Sequence, residues 1–97
     1  MNVKIIKLVS GEEVLAEVVK DDGATLEIKN TLAIAMLPQK DGTIGFQFIP
    51  WGSMVNGTIT IDKTNVIYAA SDIKYEVVSR YNSVFGNIIA PSPELII

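Results

Sequence analysis

Four short stretches of this chain carry residue types at spacings that could do chemistry. In "SGEE", Glu12 and Glu13 are adjacent carboxylates, and two carboxyl groups held close can share a proton and split their pKa values. The flanking segments alternate as strands, however, and neighbouring strand side chains point to opposite faces. The pair therefore diverges, and "SGEE" reads as a structural bend with Gly11 as its pivot. In "DDG", Asp21 and Asp22 precede Gly23. A calcium loop needs several more oxygen ligands at fixed spacing, and the same three residues are what a hairpin turn asks for. In "DKTN", Lys63 and Asn65 fall in a tight turn. Alone it is a capped turn; repeated around a symmetry axis, one lysine per copy becomes a ring of cations, and each phosphate it neutralised would release counterions. Last, "PWGSMVNG" gathers Pro50, Trp51 and Met54, either a plug over one end of the fold or a contact surface, where tryptophan is enriched.

Other chemistry is excluded by composition. The chain has neither cysteine nor histidine, so disulfides, ordinary zinc sites, a thiolate nucleophile and an imidazole base are all missing. No catalytic residue, metal site or cofactor is expected, and the protein reads as a non-enzyme. Lys and Arg number 8 against 11 Asp and Glu, a net charge of −3, which argues against a broad basic face for nucleic acid but leaves room for a local patch. The first residues reach charge too soon for a signal peptide, and the uncharged stretch 42–61 is broken by the "PWGSMVNG" loop between two strand patterns, unlike the continuous apolar run of ~20 residues that spans a bilayer. A cytoplasmic location follows as an expectation, the host cytoplasm if the chain is phage-encoded.

The elements that position these residues are strands. Residues 3–9 mix branched apolar residues with lysines. In residues 13–20, Val14, Ala16 and Val18 share one face and Glu13 and Glu17 the other. Residues 25–36 alternate over a long run: Leu26, Ile28, Leu32, Ile34 and Met36 on one face, with Asn30 the polar member of that series and a natural place for a bend or bulge. "TIGFQFI" puts Ile44, Phe46 and Phe48 inward, and "TITI" and "VIYAA" follow. The period then changes. Ile73, Val77, Tyr81 and Val84 recur at helical spacing, with Ser71 as N-cap and Gly86 as stop; Tyr75, Arg80 and Tyr81 share this helix, which is expected to pack on its own barrel. The tail "NIIAPSPELII" reads as extended and able to cross to a neighbour or a partner.

Short connections in succession imply an antiparallel meander, and the expected fold is all-β: a five-stranded, strongly bent antiparallel SH3-like barrel over residues 1–70. Residues 71–97 form a C-terminal helix and extended tail packed on it. An open barrel leaves two strand edges that need protection. The edge segments "TITI" and "VIYAA" carry no internal lysine or proline, and the mean hydropathy of +0.34 is high for a small monomer. Surplus apolar surface of this kind is usually buried against copies of the same chain.

Residues 3–70 resemble the Sm-like (Sm/LSm) family, especially its small bacteriophage members. "LVSGEEVLAEVVKDD" supplies Leu8, Gly11, Val14, Val18 and Asp22 in the order of the first Sm motif, with Ala16 in place of its second glycine and Leu26 near the place of its asparagine. "DKTNVIYA" supplies Asn65 and Val66 of the second motif, but Asp62 and Lys63 stand where the family has Arg-Gly. Most Sm proteins also begin with a helix, whereas here the helix comes last. The resemblance implies a closed homo-oligomeric ring in which the fourth strand of one subunit pairs with the fifth of the next. Ile59, Ile61, Val66, Ile67, Tyr68 and Trp51 are then candidate interface residues. It also implies single-stranded RNA in or around the pore, with Asp22, Lys63 and Asn65 as candidate contacts; Tyr68 is the nearest aromatic, although a core tyrosine is its plainer role. The leading reading is a ring that binds single-stranded RNA weakly, as a chaperone or assembly platform. The alternative is a self-assembling protein–protein module without RNA.

Overall fold

A computed structural model describes residues 2–85 of the chain. The tail and the Gly86 stop fall outside these residues. Among the described residues six strands, rather than five, run in order: β1 (Val3–Leu8), β2 (Glu13–Asp21), β3 (Thr25–Pro38), β4 (Ile44–Pro50), β5 (Ile59–Asp62) and β6 (Val66–Ala70). A 3-10 turn, Lys63–Asn65, joins β5 to β6, and one helix, α1 (Tyr75–Val84), follows. All strand pairs are antiparallel, in the order β4-β3-β2-β1-β6, with β5 also on β3.

The extra strand has a simple origin. β4 pairs with the second half of β3, from Leu32 opposite Pro50 to Pro38 opposite Ile44. β5 pairs with the first half, from Thr25 opposite Asp62 to Ile28 opposite Ile59. The two are one strand interrupted by the 51–58 loop, so the five-stranded plan survives with its fourth strand split.

Asn30 is the bend that the pattern suggested: it takes φ +53, a left-handed conformation that asparagine tolerates better than most residues. Its effect exceeds a bend. Leu26 and Ile28 belong to the barrel core with Ile6, Leu8, Val14, Ala16 and Val18. Leu32 and Ile34 belong to a second cluster with Leu15 and Tyr81, on the opposite face of the sheet. The residues expected on one face of β3 are thus divided between two layers, because the irregular backbone at the bend breaks the two-residue side-chain period. The same phase change sends Phe48, paired with Ile34, to the second cluster rather than into the barrel. Phe46 lies under the Arg80 guanidinium at 4.3 Å, and Ile44 is exposed.

Helix α1 covers this second layer. Ile73, Val77 and Phe85 pack around the fully buried Tyr81, Leu15 and their neighbours. Coverage from both sides explains the run Val14–Leu15–Ala16, in which three consecutive strand residues are completely buried. The Tyr81 hydroxyl donates to the Asn30 carbonyl at 2.7 Å, tying the helix to the bend. The helix begins later than expected: Lys74 occupies the N-cap and offers no side-chain bond, leaving Ser71 in the preceding connection. Val84, expected on the packing face, is 45% exposed.

Candidate nucleic-acid interface

The β2–β3 turn and the 3-10 turn, 40 residues apart in sequence, meet at one end of the barrel. Their backbones join directly, with Lys63 N–H donating to the Ala24 carbonyl at 2.9 Å. Thr25 lies opposite Asp62 in the β3–β5 ladder. Each turn is held by its own aspartate. Asp22 Oδ1 accepts from the backbone N–H of Ala24 (3.0 Å) and Thr25 (2.7 Å), and its Oδ2 accepts from the Thr25 hydroxyl. Asp62 caps the 3-10 turn by accepting from Thr64 N–H at 3.0 Å. Hydrogen bonds to the ionised form hold a carboxyl below its ordinary range. The N–H groups of Thr25 and then Ala24 do so for Asp22, and the N–H of Thr64 does so for Asp62.

Asp21 plays a third part. Its Oδ1 forms the one ion pair among the described residues, with the Lys63 ammonium, and it also accepts from Gly23 N–H at 3.1 Å. The hydrogen bond from Lys63 is the main cause of its lowered pKa, with Gly23 N–H next. Beside this pair opens a cleft of about 200 Å³ whose lining includes Lys4, Asp21, Lys63 and Val66. Lys4 therefore brings a second ammonium to this end of the barrel. Its contribution was readable in principle, since Lys4 lies in phase with the core residues Ile6 and Leu8 of β1; a lysine on the inward phase of a strand marks the mouth of a barrel. Asn65 sits on the far side of the turn, where its carbonyl accepts from Val9 N–H at 2.9 Å. Of the three expected contacts, the structure brings Asp22 and Lys63 into one turn pair, gives Asp22 a backbone-holding role, and fastens Asn65 to the β1–β2 turn. Glu12 accepts from the Ser10 hydroxyl at 3.1 Å, and Glu13 accepts from the Tyr68 hydroxyl at 2.7 Å. They diverge as the bend requires, around Gly11 at φ +97. The bond to the Glu13 carboxylate, with some burial, raises the Tyr68 pKa. No group of ligating side chains among the described residues is arranged to hold a metal ion, and no described helix is long and apolar enough to cross a membrane.

The expected interface residues divide into two sets. Trp51, Ile59, Ile61 and Val66 are half-buried against the barrel core. Ile67 and Tyr68 on β6 are 60% and 44% exposed. β5 pairs only with β3, and β6 only with β1, so each offers a free edge among the described residues.

The family comparison matches this architecture. The model of the Sm_like domain fits residues 5–82, which takes in the barrel and most of α1, and the chain belongs to the Sm-like family. No curated protein matches it.

Proposed function

We propose that the protein assembles into a closed ring, β5 of each subunit pairing with β6 of the next. It presents the paired 22–24 and 63–65 turns around the axis as a weak binding site for single-stranded RNA. The observation that carries this reading is the pair of strand edges, on β5 and β6, left free among the described residues of one small barrel. Unpaired backbone N–H and C=O groups template strand addition, and the exposed Ile67 and Tyr68 supply apolar area to bury with them. A head-to-tail interface that closes repeats its features with cyclic symmetry. Lys4 and Lys63 would then recur as an annulus on a chain whose net charge is −3.

A second reading, a self-assembling protein–protein module without RNA, is favoured by one specific contact. Lys63 is already neutralised by Asp21, so phosphate must displace a carboxylate to reach it. One measurement tests both readings and another separates them. Light scattering tests assembly: a species larger than a monomer is expected, and a strict monomer defeats both. Filter binding to oligo(U) and oligo(A) across salt concentrations tests RNA. Under the first reading Lys63→Ala and Lys4→Ala each weaken binding and flatten its salt slope by about one counterion. Absence of binding at low salt leaves the assembly module.

A further inference from the structure

Helix α1 covers only part of the sheet face beneath it. On that face the β3–β4 ladder sets Ile34 opposite Phe48, Met36 opposite Phe46 and Pro38 opposite Ile44, and strand alternation puts these side chains on one side. Of them, Ile34 and Phe48 pack into the helix layer. Beyond Ile73 and Val77, at the start of α1, the apolar stripe runs on uncovered among the described residues, with Met36 61% and Ile44 65% exposed. A groove of about 360 Å³ opens there, floored by Ile34, Met36, Ile44 and Phe46, a size in the range of binding clefts.

The charge of the rim says what fits. Glu13, Asp72 and Glu76 stand around the apolar floor against the single ammonium of Lys74. None of the three carboxylates is in an ion pair among the described residues; Glu13 accepts from the Tyr68 hydroxyl. The nearby Arg80 guanidinium is engaged over the Phe46 ring at 4.3 Å. An acidic rim on an apolar floor complements a segment with apolar side chains on one side and lysine or arginine beside them, and complementary charge also rejects wrong partners. The floor is an open shelf, which suits an amphipathic helix laid in a groove, and Met36 within it adapts its shape to varied apolar side chains. We propose that this groove docks a basic amphipathic segment of a partner protein, its apolar side on Met36, Ile44 and Phe46 and its cations beside Asp72 and Glu76. Neither the free edges of β5 and β6 nor the paired turns line the groove, so docking is independent of ring formation and of RNA.

The probe is a synthetic peptide of leucine and lysine, its leucines at helical spacing on one face, titrated into the full-length protein by calorimetry and followed by amide chemical shifts. A counterpart with glutamate in place of lysine is the control. The lysine peptide should bind and the glutamate peptide should not, and the shifted amides should cluster in residues 34–36, 44–46 and 72–77. Met36→Ser with Ile44→Ser, both exposed and so of little consequence for folding, should weaken binding about tenfold. Glu76→Lys should weaken it a few-fold, whereas Glu27→Lys, the same change of net charge away from the groove, should leave it unaltered. Failure of the lysine peptide to bind overturns the proposal. So does equal binding of the glutamate peptide, binding that survives the paired serine substitutions, or an equal effect of Glu27→Lys and Glu76→Lys. Self-association abolished by the serine substitutions, with no binding of the lysine peptide, gives the groove to a second copy of the chain instead.

Discussion

The two halves of β3 share one alternation of apolar and polar residues, yet they serve different layers. Before Asn30, the even-numbered residues Leu26 and Ile28 line the barrel. After it, Leu32 and Ile34 lie under the helix. The first half pairs with β5 and the second with β4. One left-handed residue is enough to hand an unbroken hydrophobic pattern from one core to the other. The helix is what makes that hand-over tolerable. Without Tyr81, Ile73 and Val77 above them, Leu15 and Leu32 would face water.

The largest effects should come from emptying either layer. Ile28→Ala in the barrel and Leu15→Ala under the helix, both fully buried, are each expected to cost about 2–5 kcal/mol, measured by urea denaturation. Hydrogen exchange sharpens the contrast: Leu15→Ala should deprotect the α1 amides more than Ile28→Ala does. Equal deprotection would mean that the layers are one cooperative core. Next comes the residue between them. Asn30→Val places a β-branched side chain at φ +53 and should cost roughly 1–2 kcal/mol or more, whereas Asn30→Gly should be near neutral. Similar losses for both would show that the asparagine side chain, and not the backbone conformation, makes the bend. Tyr81→Phe removes the 2.7 Å bond to the Asn30 carbonyl and should cost about 1–2 kcal/mol by the same denaturation measurement.

The smallest effects are in pH dependence, and here the turns and the helix layer part in sign. Asp21, Asp22 and Asp62 have folded-state pKa values below their ordinary range. Each favours the fold above about pH 4, and that contribution is lost as pH falls through the depressed values. Their exposure keeps the loss modest. Tyr81 behaves oppositely: burial first, then the Glu17 charge, raises its pKa. Its contribution is complete below about pH 10, where an unfolded tyrosine begins to ionise, and it declines as pH rises further. Thermal unfolding across pH should therefore fall off at both ends. Asp22→Asn should blunt the acid limb and Tyr81→Phe the alkaline one.

By itself the sequence determined the strands, their turns and the placement of the bend. Alternation, the glycine and aspartate turn residues, and the lone Asn30 in an apolar run are local signals that act within a few residues. The spacing of Ile73, Val77 and Tyr81 marked the helix, though not its start, because nothing local distinguishes Ser71 from Lys74 once tertiary packing decides where α1 begins. Asp22 and Lys63 were legible as turn residues. Lys4 was legible as an inward-phase lysine of β1, but the meeting of these residues and the Lys63–Asp21 pair were not, since each depends on long-range register rather than on neighbours in the chain. The interruption of the fourth strand at "PWGSMVNG" was legible too, but the division of β3 between two layers belongs wholly to the tertiary structure. A period-two pattern records that faces alternate, and only packing decides which face meets which core.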